Sequence, residues 1–277
     1  MPNKVVSLAR STHPGPSIAV SIVAVVLGIG LGLDPWRLVI LGVAFLLDQA
    51  SVGLSNDWID ADRDRAVGRT DKPVALGQIS AGTVRTTAFV TAALAILLTL
   101  PLGPWATLAH AVFIASAWTY NAGLKNTPAS VLPYIVSFGL LPMVVALART
   151  VPAIAAPWAL GLGALLGVAA HFANVLPDLD DDERTGIRGL PHRLGRRASG
   201  VVIYLALALA ALLAFAGPGG EKTVLQWIGF LLTLLLAFGI ALVLRRPPTR
   251  LLFQLIIAAA LVNVVLLSFS GERILLG

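Results

Sequence analysis

The sequence predicts an all-α, polytopic membrane protein, and three observations carry that prediction. Hydrophobic residues make up 57% of the 277 and charged residues 12%, with a mean hydropathy of +0.86, far too apolar for a soluble domain. Nine apolar stretches are separable, each near the ~20 residues a helix needs to cross about 30 Å of hydrocarbon. These runs are continuous in Leu, Ala, Val and Ile and lack the alternation of membrane β-strands.

The stretches fall at 17–33, 36–56, 82–101, 103–123, 130–148, 155–177, 198–216, 224–244 and 251–269. The first follows a short basic start, as a signal peptide would. It runs on into Gly-Leu-Gly-Leu-Asp-Pro-Trp without a small-residue cleavage pattern, so it reads as a retained helix. Pro14, Pro16, Pro104, Pro133, Pro142 and Pro177 lie near or within spans, where they act as caps or kinks. The longest polar segments are 57–80 and 178–197, and each connects an even-numbered helix to the next odd one.

Basic residues give the orientation. With a cytoplasmic N-terminus, that side receives Lys4, Arg10, Arg63, Arg65, Arg69, Lys72, Arg85, Lys125, Arg184, Arg188, Arg193, Arg196, Arg197, Arg245, Arg246 and Arg250. Arg37, Arg149, Lys222 and Arg273 fall outside, a strong positive-inside bias that predicts N-in, C-out. The net charge of +6 is largely this topology signal, with some attraction to anionic lipid, and it does not imply nucleic acid. The chain has no cysteine, which excludes disulfides, thiolate metal sites and cysteine nucleophiles.

Acidic residues number fourteen, and most sit in two clusters at the cytoplasmic mouths of the second and sixth helices. The first holds Asp57, Asp60, Asp62 and Asp64, with Asp71 following; the second holds Asp178, Asp180, Asp181, Asp182 and Glu183. In each, an Asn is followed by Asp four and eight residues on: Asn56, Asp60, Asp64 and Asn174, Asp178, Asp182. On a helix these positions share a face and present a stripe of oxygen ligands. The recurrence of this spacing four helices on suggests internal pseudo-symmetry. Two facing stripes suit Mg²⁺, which binds through a few carboxylates plus substrate phosphate oxygens. Arg63, Arg69, Lys72, Lys125, Arg184 and Arg188 would neutralise what remains of a diphosphate.

These residues carry a resemblance. The run Asn56-Asp57-x-x-Asp60-x-x-x-Asp64, followed by Arg69-x-x-Lys72-Pro73, resembles the first signature of the UbiA superfamily of intramembrane prenyltransferases. Tyr120 with Lys125 resembles its Tyr/Lys motif after the fourth helix. Asn174-x-x-x-Asp178-x-x-x-Asp182-x-x-x-Gly186-x-x-x-Leu190-Pro191-x-x-Leu194-Gly195 resembles its second aspartate signature. The likeness spans nearly the whole chain as one domain, 1–277.

The resemblance implies nine helices around a central cavity, a lateral opening to lipid and a cap of cytoplasmic loops. It implies two Mg²⁺ ions, one held by Asn56, Asp60 and Asp64 and the other by Asn174, Asp178 and Asp182, with the four aspartates catalytic. An isoprenyl diphosphate would be contacted by Arg10, Arg69, Lys72, Tyr120, Lys125 and Arg188 as well as the two Asn residues. Ionisation of its allylic carbon–oxygen bond would leave a carbocation for a hydrophobic, electron-rich acceptor. The sequence departs from the family pattern at Val175, where many relatives carry Asp or Asn, at His13, and at Lys72, a point charge in place of a planar fork.

Two other functions fit the same residues. In a membrane terpene cyclase, the chain's own double bonds quench the carbocation. An ion-coupled transporter would use paired repeats and intramembrane acids, although here the acids lie at the mouth and not the midplane. His110 and His171 lie inside spans, His171 three residues before Asn174 and bordering the expected cavity. Asp48 shares the face of Asn56, and reads either as a cavity acid or as a hydrogen-bonded structural one.

Overall fold

The computed structural model describes residues 3–179, 182, 186–243 and 250–276. Its elements are α1 Lys4–Ser11, α2 Pro14–Gly30, α3 Pro35–Ile59, α4 Ala61–Ala66, α5 Ala81–Thr99, α6 Pro104–Ala122, α7 Leu132–Leu147, α8 Pro157–Val175, α9 Leu190–Ala216, α10 Val224–Val243 and α11 Arg250–Phe269, with short 3₁₀ turns between. Among the described residues the only β pairing is the isolated bridge between Ala155 and Leu275.

Local chemistry explains where helices begin. Pro sits in the first or second position of α2, α3, α6, α7, α8 and α9, where its missing N–H costs nothing and its fixed φ suits a helix. Ser80 caps α5 by accepting the Thr83 N–H at 3.1 Å, and Asn3 caps α1 by accepting that of Val5 at 2.9 Å.

Nine of these helices stand at the nine places the hydropathy predicts, in order, and form a ring. From α2 each packs on the next through α3 and α5 to α11, and α11 returns to α2. By length and hydropathy, five segments qualify alone as membrane spans, and six if α1 and α2, bent by 55° from one another, count as one broken span. Nine helices thus stand at the expected places among the described residues, while five or six of them qualify as spans and nine crossings are not shown. Among those that fall short, α2 has 17 residues and α6 carries His110, Tyr120 and Asn121.

Buried hydrogen bonds set the register of α3 on α6. His110 Nε2 lies 2.7 Å from Asp48 Oδ2, both residues fully buried. Trp118 Nε1 donates to Ser51 Oγ at 3.2 Å, and Asn121 Nδ2 donates to the Val52 carbonyl at 2.9 Å and to Ser55 Oγ at 2.7 Å. Asp48 is thus a paired structural acid inside the helix seam.

The two ends of the ring differ. At one end Arg37 donates to the Ala148 carbonyl, Arg149 pairs with Glu272, and Thr150 donates to Asp34. At the other end α1 folds back onto α3 through a corner at His13, which takes a left-handed conformation with φ 51°. A Cβ on Gly53 of α3 would stand 2.5 Å from the Thr12 carbonyl oxygen of that corner. Gly53→Ala is therefore expected to cost about 1–3 kcal/mol through overpacking against backbone that has no rotamer to yield. Thermal unfolding in detergent checks it.

Candidate active site

The corner end of the ring gathers the first acidic motif. Helix α3 ends at Ile59 and a new helix starts at Ala61, with Asp60 at the junction. Backbone bonds from Asp60 N to Asn56 O (3.0 Å) and from Asp64 N to Asp60 O (2.8 Å) carry the four-residue step across this break. The predicted stripe of Asn56, Asp60 and Asp64 therefore survives the end of the helix that was expected to hold it.

Around Asp60 the charges are dense. Both its carboxylate oxygens accept from the Lys125 ammonium. Arg63 reaches Asp60 at 2.9 Å and Asp64 at 3.3 Å, and Asn56 Nδ2 donates to Asp60 Oδ2 at 2.9 Å. Asp60, Asp64 and Lys125 are all buried. Burial pulls the Lys125 ammonium below the ordinary lysine range, against the opposing pull of Asp60. A lysine depressed in this way makes the folded state bind fewer protons than the unfolded one. Fold stability should then rise as pH climbs toward 10.5, the ordinary lysine value. If Lys125 grips an anion, affinity should fall over the same range, and Lys125→Arg should move that loss to higher pH. Paired titrations of melting temperature and ligand affinity check both signs.

Asn56 links this cluster to a second one. Its Oδ1 accepts from Lys72 Nζ at 2.9 Å, and Lys72 also pairs with Asp57 at 2.8 Å and lies 3.0 Å from His13 Nε2. An ammonium has three donors and no acceptor, so His13 Nε2 accepts here. Ser11 donates to the other oxygen of Asp57 at 2.7 Å. Arg69 clamps Asp71 through two 2.9 Å bonds and holds its carboxyl down to about 2, so the clamp is ionised at neutral pH and its contribution fades as pH falls from the ordinary 3.8 through about 2. Arg10 Nη2 reaches the Asp71 carbonyl at 3.5 Å. Arg10, His13, Asp57, Asp71 and Lys72, with Pro14, Pro16 and Pro73, line a cleft of about 330 Å³.

The second motif follows from the end of α8. Asn174 is exposed near the end of α8, and Asp178 ends the 3₁₀ turn Leu176–Asp178. The side chain of Asp178 lies outside the described residues, as do Asp180, Asp181, Glu183 and Arg184. Asp182 lies 3.3 Å from His192 Nε2, and its carbonyl accepts the Ile187 N–H at 3.0 Å. Tyr120 stands at the end of α6, next to Asn121, which packs against α3. Its ring is edge-on to Tyr134 at 5.2 Å and to His171 at 5.6 Å. Arg188 is exposed just before α9. Trp58, within the first motif, turns outward onto Phe89, with Arg85 over its ring.

The donor chemistry fits a hard cation. Among the described residues, no three acidic or histidine side chains are gathered as a cage. However, Asp64 Oδ2 is buried with no described hydrogen-bond partner, while Arg63 joins the other Asp64 oxygen to Asp60. Asp60 and Asp64 are balanced by Arg63 and Lys125, so a diphosphate entering here brings charge that the resident side chains do not neutralise.

The UbiA prenyltransferase family matches residues 17–267. The chain belongs to the UbiA prenyltransferase family. It is 30% identical over 224 residues to the 4-hydroxybenzoate octaprenyltransferase of Enterobacter sp. (strain 638), covering 78% of this chain and 76% of that protein. It is 31% identical over 193 residues to the enzyme of that name from Cupriavidus necator, covering 67% and 66%. Its fold resembles that of a UbiA homolog from Archaeoglobus fulgidus bound to GPP and Mg2+, with a TM-score of 0.76, 14% identity and coverage of 97% and 99%.

As a UbiA prenyltransferase the chain shows some residues that motif reading passes over. Asp57, Ser11 and Lys72 form a buried knot with the partly exposed His13 at its edge, and His192 lies 3.3 Å from Asp182. The adjacency of Asp57 to Asn56 was the available signal. One residue is 100° of helix, so Asp57 faces α1 when Asn56 faces α6.

Proposed function

We propose that this UbiA prenyltransferase transfers an isoprenyl chain from an isoprenyl diphosphate to a lipid-soluble aromatic acceptor, in the mouth of a nine-span bundle whose motif-bearing loops are cytoplasmic. The observation that carries the reading is the Asp60–Asp64 pair set among Arg63, Lys125 and Asn56.

In this reading Asn56, Asp60 and Asp64 would hold one Mg²⁺, and Asn174, Asp178 and Asp182 the other. Bound there, Mg²⁺ would neutralise diphosphate charge as the allylic carbon–oxygen bond breaks. Lys125, Arg69, Lys72 and Arg188 bind the diphosphate oxygens, and Lys125 leaves Asp60 to do so. The Tyr120 hydroxyl donates to the diphosphate or its leaving oxygen. The surrounding helices keep water from the carbocation until the acceptor's ring attacks and loses its proton.

The cleft lined by Arg10, His13 and Lys72 also holds Asp57 and Asp71, and in this reading Arg10 would meet the anionic end of an aromatic acid there. The names of the 30–31% identical relatives support such an acceptor. Incubating membranes with labelled prenyl diphosphates and a panel of phenolic acids, with products read by mass spectrometry, tests the reading. Acceptor-dependent C-prenylation is the expected result, and cyclised hydrocarbon formed without acceptor overturns it. EDTA should abolish turnover and Mg²⁺ restore it; activity unaffected by chelation would remove the metal assignment.

A further inference from the structure

The tail of the second motif is fastened to the loop that carries Lys125. Ser130 is fully buried in the turn Pro128–Val131, and its Oγ accepts the Leu190 N–H at 2.8 Å. The same Oγ lies 3.0 Å from Nε2 of His171, which is buried in α8. With the oxygen already taken as an acceptor, the hydroxyl proton goes to Nε2, since a buried hydroxyl proton without a partner is costly. Leu190 opens α9, so one oxygen ties three segments together: the turn before α7, α8, and the start of α9.

Gly189 completes the joint. A Cβ there would stand 2.5 Å from the Lys125 carbonyl oxygen and 3.0 Å from Ser130 Oγ, so this backbone lies directly on the Lys125 main chain. Lys125 then extends its ammonium to Asp60, and Arg188 is the residue next to Gly189. One interlocked piece of backbone therefore carries a cation from each half of the site.

We propose that Ser130, His171 and Gly189 form a positioning latch that fixes where Lys125 and Arg188 meet the diphosphate. The inference rests on the diphosphate-binding roles given to those two cations above. None of the three latch residues needs to touch substrate.

Titration calorimetry of the full-length protein in detergent, with geranyl diphosphate and Mg²⁺ as the probe, tests this. Ser130→Ala removes both bonds and should weaken binding roughly tenfold, while Ser130→Thr, which keeps the hydroxyl, should restore it. His171→Phe should weaken binding similarly and His171→Gln, which offers an acceptor at a similar reach, should recover it; this pair decides the matter where Ser130→Ala does not fold. Unchanged affinity in Ser130→Ala and His171→Phe, or equal weakness in Ser130→Ala and Ser130→Thr, overturns the latch. Lys125→Ala separates the two levels. If it binds the probe weakly while Ser130→Ala binds normally, the latch alone fails; if Lys125→Ala binds normally, the role of Lys125 fails and the latch with it.

Discussion

Asp60→Asn is expected to reduce turnover by at least about 10³-fold while leaving a folded protein. Asp60 accepts from Lys125 through both oxygens, from Arg63 and from Asn56. The amide keeps the shape and some of those bonds, but not the charge. Asp60→Ala goes further, because Lys125 is only 7% exposed and would be left as a buried, uncompensated cation. Removing one partner of such a pair costs about 3–5 kcal/mol. The double variant Asp60→Ala, Lys125→Met should regain much of that stability and none of the activity. Melting temperature in detergent and product formation, measured on all three variants, separate the structural part of Asp60 from its chemical part.

Asp57→Ala should give the largest loss of stability among the motif residues without being a loss of a proposed metal ligand. Asp57 is 1% exposed and holds Lys72 at 2.8 Å and Ser11 at 2.7 Å. Without it Lys72 keeps only Asn56 and His13 as described partners, and the α1–α2 corner loses its bond to α3. The expected cost is again about 3–5 kcal/mol. Replacing the pair together, Asp57→Leu with Lys72→Met, should recover most of it. Equal instability of the single and double variants would show that the knot is held by packing and not by charge.

Helix positions were legible because hydropathy and proline placement act locally. Eight of the nine expected stretches agree with α2, α3, α5, α6, α7, α8, α10 and α11 to within a few residues. The exception is α9, which begins at Leu190 and not near 198. The polar turn Leu190–Arg197 is helical, with a break at Gly195, whose φ is 75°, and hydropathy sees only the apolar part beyond it. Helix α1 was invisible for the same reason, being short and half polar.

The spacing of Asn56, Asp60 and Asp64 was readable as a shared face, and the face was right for Asp48 as well. What periodicity could not say is which neighbour that face meets. His110 and Asn121 are eleven residues apart, close to three turns, so α6 presents both to α3. Asp48 finds His110, while Asn56 lies 3.5 Å from Asn121. The partners of Asp57 and Asp182 come from segments with no periodic signal, His13, Lys72 and His192. Such pairs form only when the ring closes.

In the proposed mechanism the two acidic motifs grip one diphosphate through divalent cations. Counting bound Mn²⁺ by electron paramagnetic resonance, with geranyl diphosphate present, tests it most directly. Two ions are expected in the parent protein, one after Asp60→Asn and one after Asp178→Asn. An unchanged count in both variants would contradict it.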